Sequence, residues 1–188
     1  MSILKLESKY YTKMLWKNGQ GSTLEIDKGQ GWRVSIATVN QDGAFSKFEG
    51  MQRIISMIDG DAIQLISSQQ EDVVIRTFES HAFSGDEDIY CKVHGRGGQD
   101  LNLIYDPTQV NTRFEHVVLN SSGLEIFTPS KYVFIFNPTE NTVHINLMNQ
   151  HFILNHHDTL KIMQSKENRL FHAKIHSDHT SAIYLIEI

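Results

Sequence analysis

One arginine carries the most specific chemistry in this chain. Arg53 stands seven residues before Gly60, inside the stretch GWRVSIATVNQDGAFSKFEGMQRIISMIDG that runs from Gly31 to Gly60. The stretch reads as two strands joined by a Gly-bearing loop. A guanidinium presents a planar fork of donors that matches a carboxylate. A divalent metal would need three or four converging N, O or S ligands, and Ser46, Lys47, Phe48 and Glu49 just upstream do not supply them. Anion capture is therefore expected here rather than metal chemistry. The bland alternative is a structural ion pair between Arg53 and Asp42 or Glu49.

Other polar residues are placed to help. The segment Trp16 to Thr23, WKNGQGST, is a glycine-containing loop whose backbone donors suit an anion or carbonyl. It lacks the GxxxxGK[ST] spacing of a phosphate loop, which argues against nucleotides. Asn18 and Thr23 are its candidate ligand contacts; their other use is turn capping. Arg33 and Ser35 lie opposite Trp32, Val34 and Ile36, facing either a polar cavity or solvent. Asn102 alternates with Leu101 and Leu103, so a buried Asn102 needs a partner in ligand or backbone. Asp86 follows a glycine, where it either orients an arginine or closes an Asx turn. The ten histidines invite a metal reading, but His156 and His157 are adjacent and would point to opposite faces of a strand. Surface positions account for them better. Cys91, near His94, has no spacing that specifies a nucleophile.

These residues need a β scaffold. Period-two alternation dominates the chain. Strands are expected over Trp32 to Val39, Arg53 to Ile58, Ala62 to Ser67, Val73 to Phe78 and Leu101 to Tyr105, and over eight short segments after Glu115. The four-glycine stretch Phe83 to Gly98 reads as a loop, and Asp106 to Thr112 as the best helix candidate. The 188 residues suit a single unit that buries roughly 70% of its unfolded surface without a staple. The net charge of −5 comes with no basic block, so nucleic acid is not expected as a partner. No run reaches the ~18 apolar residues of a membrane span, and the N-terminus has no apolar core of a signal peptide. A cytoplasmic protein is the expectation.

Five motifs resemble the HutD/Ves family in order: WKNGQGSTLEI, GWRVSIATV, DGAFSKFEGMQR, FSGD and DLNLI. The resemblance covers residues 14 to 106 by motif and the remainder by length and β texture. It implies an all-β bicupin fold, two small stacked jelly-roll-like barrels with strand exchange between halves, approximately 14–110 and 111–188. It also gives Arg53 its meaning, because cupins usually place a metal-binding Glu seven residues before this glycine, with two His upstream. There are departures. Gln20 stands where the family favours glycine, Ala44 and Glu49 where it favours proline, and Gln52 where it favours an acid.

The reading that follows is a non-catalytic binder of a small anionic metabolite, formate- or formyl-glutamate-like, regulating histidine utilisation or a stress response. Arg53, Asn18, Thr23, Arg33, Asn102 and Asp86 would form the site, with no metal and no cofactor. The alternative is a cupin-type enzyme, an isomerase or hydrolase, with Glu25 or Asp86 as base. A third reading is an interaction protein pairing through the C-terminal AIYLIEI, although core burial suits that apolar strand better. Monomer and homodimer both remain open.

Overall fold

The alternation read in Trp32–Val39 extends through nearly all of the chain, and the backbone answers it with strands. The computed structural model describes residues 1–16, 21–120, 122–165 and 171–188. The chain opens with β1 (Ser2–Leu6) and a 3-10 turn at Ser8–Tyr10. It continues through β2 (Thr12–Leu15), β3 (Gly21–Gly29), β4 (Trp32–Val39), β5 (Gly43–Ala44), β6 (Gln52–Asp59) and β7 (Ala62–Ser67). Then come β8 (Val73–Arg76), β9 (Ser80–Ser84), β10 (Ile89–His94) and β11 (Gly98–Tyr105). β12 (Arg113–Leu119), β13 (Leu124–Thr128), β14 (Tyr132–Phe136), β15 (Val143–Leu147), β16 (Gln150–Leu154), β17 (Thr159–Met163), β18 (Phe171–His176) and β19 (Ser181–Glu187) complete it. Among the described residues there is no α-helix, and hence none that could cross a membrane.

Residues Thr12–Val110 form one compact unit, and Asn111–Ile188 together with Met1–Tyr11 form another. The first is a six-stranded sheet, β2-β3-β4-β11-β6-β9, with a four-stranded sheet, β5-β10-β7-β8. Ile55 and Met57 from one sheet meet Ile63, Leu65, Ile75, Ile89 and Cys91 from the other. The second unit combines β1-β17-β14-β19-β12 with β13-β18-β15-β16. Its core brings Ile135, Ile162 and Leu185 against Ile126, Ile145, Ala173 and Ile175. Each side chain fully buried in this way contributes about 1.5–3 kcal/mol, so cores of this size hold a chain whose one cysteine, Cys91, is free. β1 pairs with β17, which is the strand exchange implied by the resemblance.

Two expectations are corrected. The stretch Phe83 to Gly98 is not a loop, because β10 occupies Ile89–His94 and pairs with β7 and β5. Its glycines sit at the ends, while Ile89 and Cys91 point inward and Tyr90 and Lys92 outward. Asp106 to Thr112 forms no helix. The Asp106 carboxylate accepts from Thr108 N at 2.8 Å and its carbonyl from Gln109 and Val110, closing one turn. A side chain that satisfies its own turn competes with helix propagation. AIYLIEI takes the core position that suits its apolar sequence: β19 lies between β14 and β12 with all its residues buried, which leaves it no edge for a partner.

Candidate functional site

β11 lies between β4 and β6, and its register assembles the site. Directly opposed residues of antiparallel strands share a face. Asp100 opposes Ala37 and Met57, Asn102 opposes Ser35 and Ile55, and Ile104 opposes Arg33 and Arg53. Arg33, Arg53, Asp100 and Asn102 thus stand on one face of three neighbouring strands, the face that meets the apolar interior of the unit. The register against β6 shifts between Gln99 and Asp100. Such irregularities re-aim side chains beside functional sites. The turn that makes this possible uses Gly60 at φ +99°, and a Cβ on Gly98 would collide with the Asp59 carbonyl.

These residues border a cavity of about 460 Å³. Arg53 is only 6% exposed. Its guanidinium carbon lies 4.9 Å from the Phe83 ring centre, 5.0 Å from Phe45 and 5.3 Å from Phe48. Cation–ring contacts of this kind contribute about 0.5–2 kcal/mol each. The only hydrogen bond of Arg53 among the described residues is a long one, Nη1 to the Ser46 carbonyl at 3.5 Å. Neither Asp42 nor Glu49 pairs with it; Asp42 accepts instead from Val93 N at 2.8 Å. Arg33 lies 5.3 Å from the same Phe48 ring.

Six buried polar atoms on this face lack a hydrogen-bond partner among the described residues: Arg53 Nε, Arg33 Nε, Asn102 Oδ1, Asp100 Oδ1, Ser35 Oγ and His81 Nε2, the first four on residues that border the cavity. Burying an unpaired polar group costs about 1–3 kcal/mol, so such a cluster bordering a cavity marks a candidate functional site. Electrostatics point the same way. Burial, with Arg33 adding to it, lowers Arg53 to about 10 despite the opposing pull of Asp100, which leaves it a cation at neutral pH. Burial pushes Asp100 up to about 7, with Arg53 only partly opposing.

The remaining candidates divide. Thr23 borders the cavity, but from β3 rather than a loop, and its Oγ1 accepts from Trp16 Nε1 at 2.9 Å. Asn18 lies outside the described residues. Asp86 does not join the cluster. It is exposed and outside the cavity lining, with Oδ1 accepting from Gly50 N at 3.0 Å and its own N–H donating to Ser84 Oγ at 3.2 Å. That is a turn-closing role. Glu25 is ion-paired with Lys28 at 3.0 Å. Cys91 is a core residue whose thiol burial drives up to about 12. No three metal-ligating side chains converge among the described residues. His144 Nδ1 and His151 Nε2 meet at 3.2 Å with ring planes 4° apart and centroids 5.3 Å apart, a hydrogen bond whose donor depends on the tautomer.

Asp100, Phe45, Phe48 and Phe83 are the site residues the sequence reading did not single out. Asp100 had a signal, because it lies two positions before Asn102 and period two puts both on one face.

The profile of the HutD family matches residues 8–184. A 21.2 kDa protein from the hutC 3' region of Pseudomonas putida is 39% identical over 147 residues, covering 71% of this chain and 77% of that one. A conserved protein of unknown function from Pseudomonas aeruginosa PAO1 superposes with a TM-score of 0.92 at 31% identity, over 99% of this chain and 97% of that chain. A HutD from Pseudomonas fluorescens SBW25, solved in a formate condition, superposes at 0.83 with 29% identity, over the same 99% and 97%. A cupin 2 conserved barrel domain protein from Leptotrichia buccalis shares the fold alone, at 0.59 with 8% identity over 93% of this chain and 92% of that one. A barrel of two antiparallel sheets, present twice, makes this chain a bicupin. It belongs to the HutD family.

Proposed function

We propose that the Thr12–Val110 unit is a non-catalytic binding site for a small carboxylated or formylated metabolite, and that the protein uses it to regulate histidine utilisation. The observation that carries this reading is the convergence of unpaired Arg33 Nε, Arg53 Nε and Asn102 Oδ1 on one cavity. Two guanidiniums supply donors for an anionic or carbonyl oxygen. Asn102 Oδ1 asks for a donor in return, which a formamide N–H or a carboxylic O–H supplies. A small concave site with a few polar groups on apolar walls suits such a ligand. The formate condition of the Pseudomonas fluorescens HutD agrees with a site for small carboxylates.

Calorimetry with formate, N-formyl-glutamate and urocanate tests the reading, comparing wild type with Arg53→Ala. Binding by wild type and its loss in the variant are expected; equal binding by both would falsify the role of Arg53. A second reading has one specific support. Asp100 faces the cavity with a pKa near neutrality, which is where a general acid or base works best. Turnover of any of the three compounds, followed by NMR and lost in Asp100→Asn, would replace binding with catalysis.

A further inference from the structure

Asp100 is the one acidic side chain among the described residues that border the cavity, and it is only 2% exposed. Its Oδ1 has no partner, and no ion pair joins it to Arg53 among the described residues. It shares the cavity with Arg53 from β6 and Arg33 from β4, and its charge helps raise the pKa of Cys91 on β10. Asp42, before β5, also acts on Cys91 but spends its carboxylate on Val93 N. Three further titratable groups occupy this sheet face, Glu25 and its ion-pair partner Lys28 of β3 and His81 of β9; none borders the cavity.

An incoming anion therefore meets two cations and one carboxyl group in a single water-poor space. We propose that the cavity takes its anion together with one proton, held on Asp100, so that two arginines and a protonated carboxyl group fix the ligand oxygens. Two carboxylates confined together cannot both remain ionised without strong repulsion. The proton that Asp100 gains turns an unpaired acceptor into a donor, aimed at the oxygen that Arg53 also binds. Asp100 titrates near neutrality in the empty site because burial outweighs Arg53, so the coupling falls within the physiological range. Its sign is fixed by linkage: a bound anion raises the Asp100 pKa further, binding takes up a proton where the empty site is ionised, and affinity falls as pH rises.

This inference rests on the anion-binding reading, and one experiment separates the two. Sodium formate is titrated calorimetrically into the protein from pH 6 to pH 9, in phosphate and in Tris. For wild type, the association constant should be flat near pH 6 and fall up to tenfold per pH unit above about 7, with close to one proton taken up per formate at pH 8. Asp100→Asn should bind with no pH trend and no proton uptake, and Asp100→Ser serves if the Asn variant does not fold. A flat wild-type profile, or the same slope in the variants, overturns the proton coupling while formate binding lost in Arg53→Ala upholds the site. Absence of formate binding at every pH overturns both.

Discussion

Arg33 and Arg53 stand on either side of Ile104, each directly opposite it across β11, with both side chains on the cavity face. Two partly desolvated cations held this close repel each other, and Arg33 indeed helps lower the Arg53 pKa. An anion between them relieves that repulsion. Charge-assisted hydrogen bonds are worth about 1.5–3 kcal/mol, so Arg53→Ala should weaken carboxylate binding by roughly 10- to 100-fold. Arg53→Lys keeps the charge and loses the fork, and should recover only part of the loss. Calorimetry with formate reads both, and full recovery by Lys would refute fork recognition.

Phe48 touches both guanidiniums, at 5.3 Å from each. Phe48→Leu preserves apolar bulk and removes the ring quadrupole. A loss of about 0.5–2 kcal/mol per contact falls on the ligand-free fold and should lower the melting temperature by a few degrees, while the less firmly positioned guanidiniums should bind formate several-fold more weakly. Should the variant bind as tightly as wild type, Phe48 is wall material and nothing more.

The buried Asp100 also shapes stability in the absence of ligand. Its pKa is raised on folding, to about 7, so the folded state holds a proton that the unfolded state has released. Stability is therefore highest below the unfolded carboxylate value and is lost as pH rises through the folded one. The slope should approach −1.4 kcal/mol per pH unit between about 4 and 7. Urea denaturation at pH 4.5, 6 and 7.5 measures it. Asp100→Asn should flatten the trend over that interval, and an unchanged slope would place its origin elsewhere.

The scaffold was legible wherever one face is buried and the other is not. Ala62–Ser67, Val143–Leu147 and Thr159–Met163 could be bounded from alternation and turn residues, and the continuously apolar Tyr132–Phe136, buried on both faces, from the breaks on either side of it. β10 was hidden because Gly85, Gly95, Gly97 and Gly98 crowd its flanks, although Ile89 and Cys91 alternate with Tyr90 and Lys92. Part of the site was equally open to reading: Arg33, Arg53 and Asn102 follow from face parity. What parity cannot supply is register between strands distant in sequence, and that register brings Arg33 level with Arg53. Asp86 shows the converse, a polar loop residue whose partners, Gly50 N and Ser84, are visible only once the turn is folded.

Asp158 supplies the opposite pH response at a structural position. It accepts from Ser8 N at 2.9 Å and Asn155 N at 3.1 Å, and pairs with Lys5 at 3.0 Å, tying β1 and its 3-10 turn to the start of β17. Burial works against its ionised form, but these donors outweigh it and hold its pKa below the usual carboxylate value. Its contribution is present above the unfolded carboxylate value and is lost as pH falls through the lower folded one. Asp158→Ala leaves the Ser8 amide without its acceptor, at a cost of about 1–3 kcal/mol at neutral pH. Because β1 pairs only with β17, at a sheet edge, the loss should be local first. Hydrogen exchange should show the Ser2–Leu6 amides deprotected while those of β14 and β19 stay slow. Acid titration should find the variant and wild type converging once the pH is low enough to protonate the wild-type carboxylate too. Uniform deprotection across the second unit would mean that Asp158 supports the core and does not merely fasten the exchanged strand.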